Sequence, residues 1–250
     1  ILESNQFGDL KTGRFFMRVA FTTADPTVDV KQMELQAQFK EISEQFEMDW
    51  QLFDMNINTP AIIMVSKFDH CLVDLLYRCR IGTLKMDITA VVSNHDTARE
   101  LVDREGIPFH HIPVSTDTKQ DAEAQISKII AETGAELVIL ARYMQILSPE
   151  MANSYPGQII NIHHSFLPSF KGAEPYSQAY HRGVKMIGAT AHYVTPNLDE
   201  GPIIAQQVVP VRHDMSVEDM IGAGQEIEQS VMAKAIRAHT EHRILLNEGK

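Results

Sequence analysis

The run Gln158-Ile-Ile-Asn-Ile-His-His-Ser-Phe-Leu-Pro-Ser-Phe-Lys-Gly172 reads in two halves. Its apolar start, up to Ile160, has the character of a buried strand, and Pro168 and Gly172 bound the loop that follows. Polar side chains are thereby delivered at a strand's end, where open α/β sheets place their ligand sites. Asn161 and His163 are two residues apart, so in extended backbone they point to the same side. One offers an amide donor, the other an imidazole that moves protons near neutral pH. A carboxylate comes from a second stretch, Ala191-His-Tyr-Val-Thr-Pro-Asn-Leu-Asp-Glu-Gly-Pro202, where Asp199 lies in a turn-rich segment after another apolar strand.

Outward from this run the chain alternates. Strands are predicted over 61–65, 88–93, 109–113 and 137–140, with helices over 70–80, 97–105 and 118–133 between them. Continuous apolar strands separated by helices predict a parallel sheet covered on both faces. Gly134 makes a C-terminal stop for the third helix, and Ser148-Pro149 makes an N-cap and first turn for another. Downstream, 185–194 and 203–211 read as a hairpin-like strand pair, and 217–246 as a long helical region interrupted near Gly222 and Gly224. Residues 1–55 read separately: a strand end over 1–7, a strand over 14–23, an amphipathic helix over 30–46 bearing Met33, Ala37, Ile42 and Phe46, and a strand over 49–55. Residues 56–60 form a short polar linker.

The chain has 250 residues, is 44% hydrophobic and carries a formal charge of −11. Such a balance opposes nucleic acid and anionic membranes, and there is no basic run to offset it. No apolar run approaches the roughly twenty residues of a membrane span. Cys71 and Cys79 are about two helical turns apart, too far for a disulfide within a straight helix, and two unpaired thiols fit a cytoplasmic setting. No metal-ligand spacing occurs, so no metal is expected. Because the chain opens on Ile1, it is expected to be the ordered remainder of something longer.

Taken singly, the candidates have ordinary readings. Asn161 would satisfy backbone groups at a strand end, His163 would donate to a carbonyl, and Asp199 would cap a turn. His110 and His111 sit in a predicted strand and read as structural. Asn-x-His followed by Ser-x-Leu-Pro-x-x-x-Gly, with a later Leu-Asp-x-Gly-Pro, changes the balance. This two-part motif resembles the folate-dependent formyltransferase and formyl-hydrolase superfamily. The segments 161–172, 176–180 and 188–193 are most similar to the formyltetrahydrofolate deformylases.

The resemblance implies a Rossmann-like, mostly parallel sheet of the formyltransferase type over 60–250. It also implies an ACT-like (ferredoxin-like) α+β module over 1–55, lacking its first strand and helix. It implies hydrolysis of 10-formyltetrahydrofolate to formate and tetrahydrofolate with no cofactor, Asn161, His163 and Asp199 being catalytic. The folate ring would be cradled by Met144, Gln145, Ile146 and Leu147, with Leu198 closing the other side. His164 stands where glycinamide ribonucleotide formyltransferases have proline, and either lines the water site or packs outward. Lys171 either meets the substrate's glutamate tail or is a solvated loop lysine. Those transferases carry a glycine-rich loop after the first strand of this domain, which cradles an acceptor phosphate. Here Ser66-Lys-Phe-Asp-His-Cys71 has no glycine, its Lys67, His70 and Cys71 again resemble the deformylases, and side chains crowd the backbone donors a phosphate needs. Water is then the natural acceptor, with formyl transfer to an amine, or a non-catalytic amino-acid sensor, as the alternatives. An ACT-like module further implies a homo-oligomer, formed by covering open sheet edges, and a glycine or methionine effector.

Overall fold

Residues 1–22, 31–168, 175–247 and 249 are described by the computed structural model. The chain divides into two units, Ile1–Ile57 and Asn58–Lys250. In the first, β1 (Glu3–Gly8) pairs antiparallel with β2 (Phe15–Ala20), and α1 (Gln32–Gln45) follows. The outer ends of the expected strand and helix, Thr23 and Val30, lie outside the described residues. No strand forms at 49–55. There Trp50 meets Phe39 edge-on with ring centroids 4.8 Å apart, and Gln32 Nε2 donates to the Leu52 carbonyl at 2.6 Å. An extended segment becomes a strand only beside a partner backbone, and β1 and β2 use each other. The apolar residues expected to face inward from α1 also stay out: Met33, Ile42 and Phe46 are exposed.

The second unit runs β3 (Thr59–Val65), α2 (His70–Arg80), β4 (Met86–Ser93), α3 (Arg99–Arg104), β5 (Phe109–His111) and α4 (Lys119–Thr133). It continues through β6 (Leu137–Leu140), α5 (Pro149–Ser154), β7 (Ile159–His163), α6 (Pro175–Arg182), β8 (Met186–Tyr193), β9 (Ile203–Pro210) and α7 (Val217–Thr240). The strands make one seven-stranded sheet in the order β5-β4-β3-β6-β7-β8-β9. The first five are parallel, and β8 and β9 add antiparallel to that edge.

Strand periodicity sorts the core. On β3, Ile63 and Val65 join Leu72, Leu75, Ile160, Val231 and Ile236 on one face, while Ile62 and Met64 join Val92, Ile126 and Ile130 on the other. Each such buried aliphatic side chain contributes about 1.5–3 kcal/mol relative to exposure. Gly134, with φ 64°, ends α4 by accepting the left-handed conformation that stops a helix. Helix α7 is continuous through Gly222 and Gly224 and stops at Thr240, contrary to the expected interruption and longer span. Ser216 and Asp219 form a reciprocal capping box at its start, and packing on β7, β8, β9 and α2 outweighs the propensity cost of two glycines. The chain order reverses between β3 and β6, so the ligand crevice of this architecture lies at their carboxyl ends.

Candidate active site

Strand β7 ends in two of the candidate residues. Asn161 and His163 are its third and last residues, and antiparallel pairing sets Asn161 opposite His192 of β8 and His163 opposite Thr190. Asn161 Nδ2 lies 3.3 Å from His192 Nε2. A register shift against β9 falls between Ala191 and His192, the kind of irregularity that re-aims a side chain beside a site.

Asp199 reaches the same point from the loop after β8. Its backbone is left-handed, φ 56°. Gly201 makes the turn possible: a Cβ there would come within 1.8 Å of the Tyr193 carbonyl oxygen. Asp199 Oδ2 stands 3.3 Å from His163 Nδ1, and Oδ1 stands 3.6 Å from His192 Nε2. Burial taken alone would raise the Asp199 pKa, but hydrogen bonds and charge from His163 and His192 outweigh it and hold the acid well below its ordinary value of 3.8. With Nδ1 facing the Asp199 carboxylate, His163 leaves its other nitrogen pointing away from Asp199. That nitrogen, Nε2, is buried and has no partner among the described residues.

The loop after β7 is pinned by one hydroxyl. Thr190 Oγ1 donates to the Ser165 carbonyl at 2.9 Å and accepts from Leu167 N at 3.1 Å and Gln206 Nε2 at 2.9 Å. One donor and two acceptors use the group's full capacity. His164 is held beside His163, ring centroids 5.4 Å apart, and 6.2 Å from the Tyr176 ring. Burial, with help from the Arg142 charge, lowers its pKa to about 4, so it is neutral near pH 7.

The structure thus brings together Asn161, His163 and Asp199, with His164 adjacent. Met144 and Ile146 follow β6 as exposed apolar side chains with Gln145 and Leu147 half-buried, and the segment is tied to β3 by Met144 N donating to Ser66 Oγ at 2.9 Å. Leu198 is exposed immediately before Asp199. Lys67 is exposed on the loop after β3, His70 pairs with Glu228 of α7 instead of facing Asp199, and Lys171 lies outside the described residues. Three residues escaped the sequence reading. His192 was hidden because pairing register is not written in one strand; Arg142 and Glu228 were hidden because they meet only in three dimensions.

The sequence family described as Formyl transferase matches residues 60–236. Formyltetrahydrofolate deformylase of Corynebacterium sp. (strain P-1) is 52% identical over 246 residues, 98% of this chain and 85% of that protein. The chain belongs to the formyltetrahydrofolate deformylase family. The crystal structure of the deformylase from Burkholderia mallei superimposes with a TM-score of 0.93 at 47% identity, covering 99% of this chain and 87% of that one. Glycinamide ribonucleotide transformylase 1 from Symbiobacterium toebii gives a TM-score of 0.73 at 30% identity, covering 80% of this chain and 96% of that one. The family's deformylases therefore match both units of this chain, whereas the transformylase matches a smaller share of it.

Proposed function

We infer that this chain hydrolyses 10-formyltetrahydrofolate to formate and tetrahydrofolate, using no cofactor. The observation that carries the residue assignment is the buried Nε2 of His163, without a partner among the described residues, beside Asn161 and Asp199. Water adds to the formyl carbon, and negative charge develops on the formyl oxygen. The Asn161 amide and protonated His163 donate to that oxygen, contacts that strengthen as charge grows. Asp199 accepts from His163 Nδ1, fixes the ring, balances its charge and holds the attacking water. As the tetrahedral intermediate collapses, the C–N10 bond breaks and His163 delivers a proton to N10; of the two protons the water gives up, one restores the imidazolium and the other leaves to solvent with formate.

The exposed apolar side chains of Met144, Ile146 and Leu198 support a ring-binding rim with Gln145 and Leu147. Lys67 and His70 are read as supporting residues of the loop after β3. Two free thiols suit a cytoplasmic enzyme. The strand–strand–helix order of the first unit supports an ACT-like module that pairs copies of the chain through open sheet edges. A groove lined by Gln36, Lys40, Trp50 and Phe53 supports its binding a small amino acid such as glycine or methionine, which calorimetry checks directly.

The test is formate release from 10-formyltetrahydrofolate with no acceptor added. Asn161→Ala is expected to lower kcat by roughly 10²–10³ and His163→Ala by roughly 10²–10⁴. Near-normal turnover in Asn161→Ala, His163→Ala and Asp199→Ala alike overturns the assignment.

A further inference from the structure

The crevice holds a second cluster that the proposed reaction does not use. Arg142 leaves β6 at the point where the strand order reverses, with φ 64°, a strained conformation that a non-glycine residue keeps only when its surroundings impose it. Its guanidinium is buried and lies 5.4 Å over the ring of Phe68, on the loop after β3. Nε stands 3.5 Å from a Glu228 carboxylate oxygen, yet neither Nε nor Nη1 has a hydrogen-bond partner among the described residues. Glu228 is 1% exposed. It accepts from Tyr176 Oη at 2.7 Å and pairs with His70 Nε2 at 2.8 Å. Burial opposes its charge, but His70, Arg142 and Tyr176 together keep its pKa below the ordinary value. Gly224, one turn earlier on α7, exists for this contact, since a Cβ there would come within 2.1 Å of Tyr176 Oη.

His164 joins the two clusters. Its ring lies 5.4 Å from that of His163 and 6.2 Å from that of Tyr176, which holds Glu228. His70, Cys71 and Glu228 also bring ligand atoms within 4.8 Å of one another. However, Arg142 stands on the same carboxylate and burial pushes the Cys71 thiol far up, so hydrogen bonding suits this set better than a divalent ion.

We propose that Arg142 and Glu228, braced by Phe68, His70 and Tyr176, close the strand-reversal side of the crevice to any second substrate and leave water as the nucleophile at the formyl carbon. This rests on the hydrolytic reading above. Buried ion pairs are weak evidence for stability, because apolar replacements of similar volume are often as stable. One at the carboxyl end of β6, beside the reversal of strand order, stands where this architecture places ligands and has a different use. Arg142 and Glu228 are specificity-determining and positioning residues in this view, since neither needs to touch the formyl group.

A small competing nucleophile reads the closure. Hydroxylamine nitrogen attacks the formyl carbon, the C–N10 bond breaks, and the proton lost from hydroxylamine passes to N10, giving formohydroxamate and tetrahydrofolate. Wild type, Arg142→Ala and the double variant Arg142→Ala/Glu228→Gln are each given 10-formyltetrahydrofolate and hydroxylamine, and the ratio of formohydroxamate to formate is measured. The double variant removes both charges together, guarding against misfolding from an unbalanced carboxylate, and circular dichroism checks each fold. Wild type is expected to give formate with no enzymatic formohydroxamate, and both variants to raise the ratio at least about tenfold, the scale on which a binding site sorts molecules by size. Wild type diverting as freely as the variants overturns the closure, as do folded variants that release formate alone. A wild-type protein that releases no formate overturns the hydrolytic reading, and the closure with it.

Discussion

Asp199 is shared between two imidazoles, and that sharing has a measurable sign. Its carboxyl pKa is held below 3.8 largely by His163 and His192. A depressed acid contributes stability above its unfolded value and loses it only as pH falls through the lower folded one. His192→Leu removes one partner, so the Asp199 midpoint, followed by carbon NMR, is expected to move up, with kcat falling more than KM rises because the ring of His163 is less firmly held. An unchanged midpoint would mean that His163 alone sets it. The sequence made Asn161, His163 and Asp199 legible because chemistry and spacing coincided in two short motifs. It could not show His192, whose role depends on standing opposite Asn161, nor Glu228, whose three partners come from distant parts of the chain.

Elements show the same division between local and long-range information. The alternation of 61–140 was readable because strands buried on both faces and helices with one apolar stripe obey different periods. The segment 49–55 reads as a strand but forms none, because aromatic content signals a strand only where a partner exists. The glycines of α7 predict a break that does not occur, because a sequence shows their cost in propensity and hides the packing that requires one of them. Gly224→Ala is expected to gain helix propensity yet lose stability. Displacing Tyr176 from α7 should cost about 1–3 kcal/mol, the usual scale for overpacking, seen as a lower thermal midpoint. Gly201→Ala presses a methyl onto the Tyr193 carbonyl and should shift the Asp199 loop. Activity is expected to fall much further than the thermal midpoint, since this loop carries the carboxylate proposed for catalysis but little of the core.

For the whole molecule, buried histidines set the acid response. Burial lowers the pKa values of both His164 and His239 from 6.5 to about 4. Between those values the unfolded chain binds protons that the folded one refuses, so stability declines as pH falls from about 6.5 to about 4. Unfolding near pH 5 should take up about two protons through these two rings alone. Calorimetry across buffers of different ionisation enthalpy measures this uptake. A His239→Phe variant, which removes one of the rings and its bond to Tyr193, should show a flatter dependence.

The antiparallel pairing of β7 with β8 carries a last consequence, for which changes of chain length this molecule tolerates. Asn161 faces His192 by register alone, and a shift of one residue turns every side chain of a strand to the opposite face. Deleting a single residue within 186–193 would bury the imidazole in the sheet's packing and push an aliphatic group toward the substrate. The turn at 195–198, outside any ladder, can lengthen without such an inversion. Descendants of this sequence should therefore almost never change in length inside that strand.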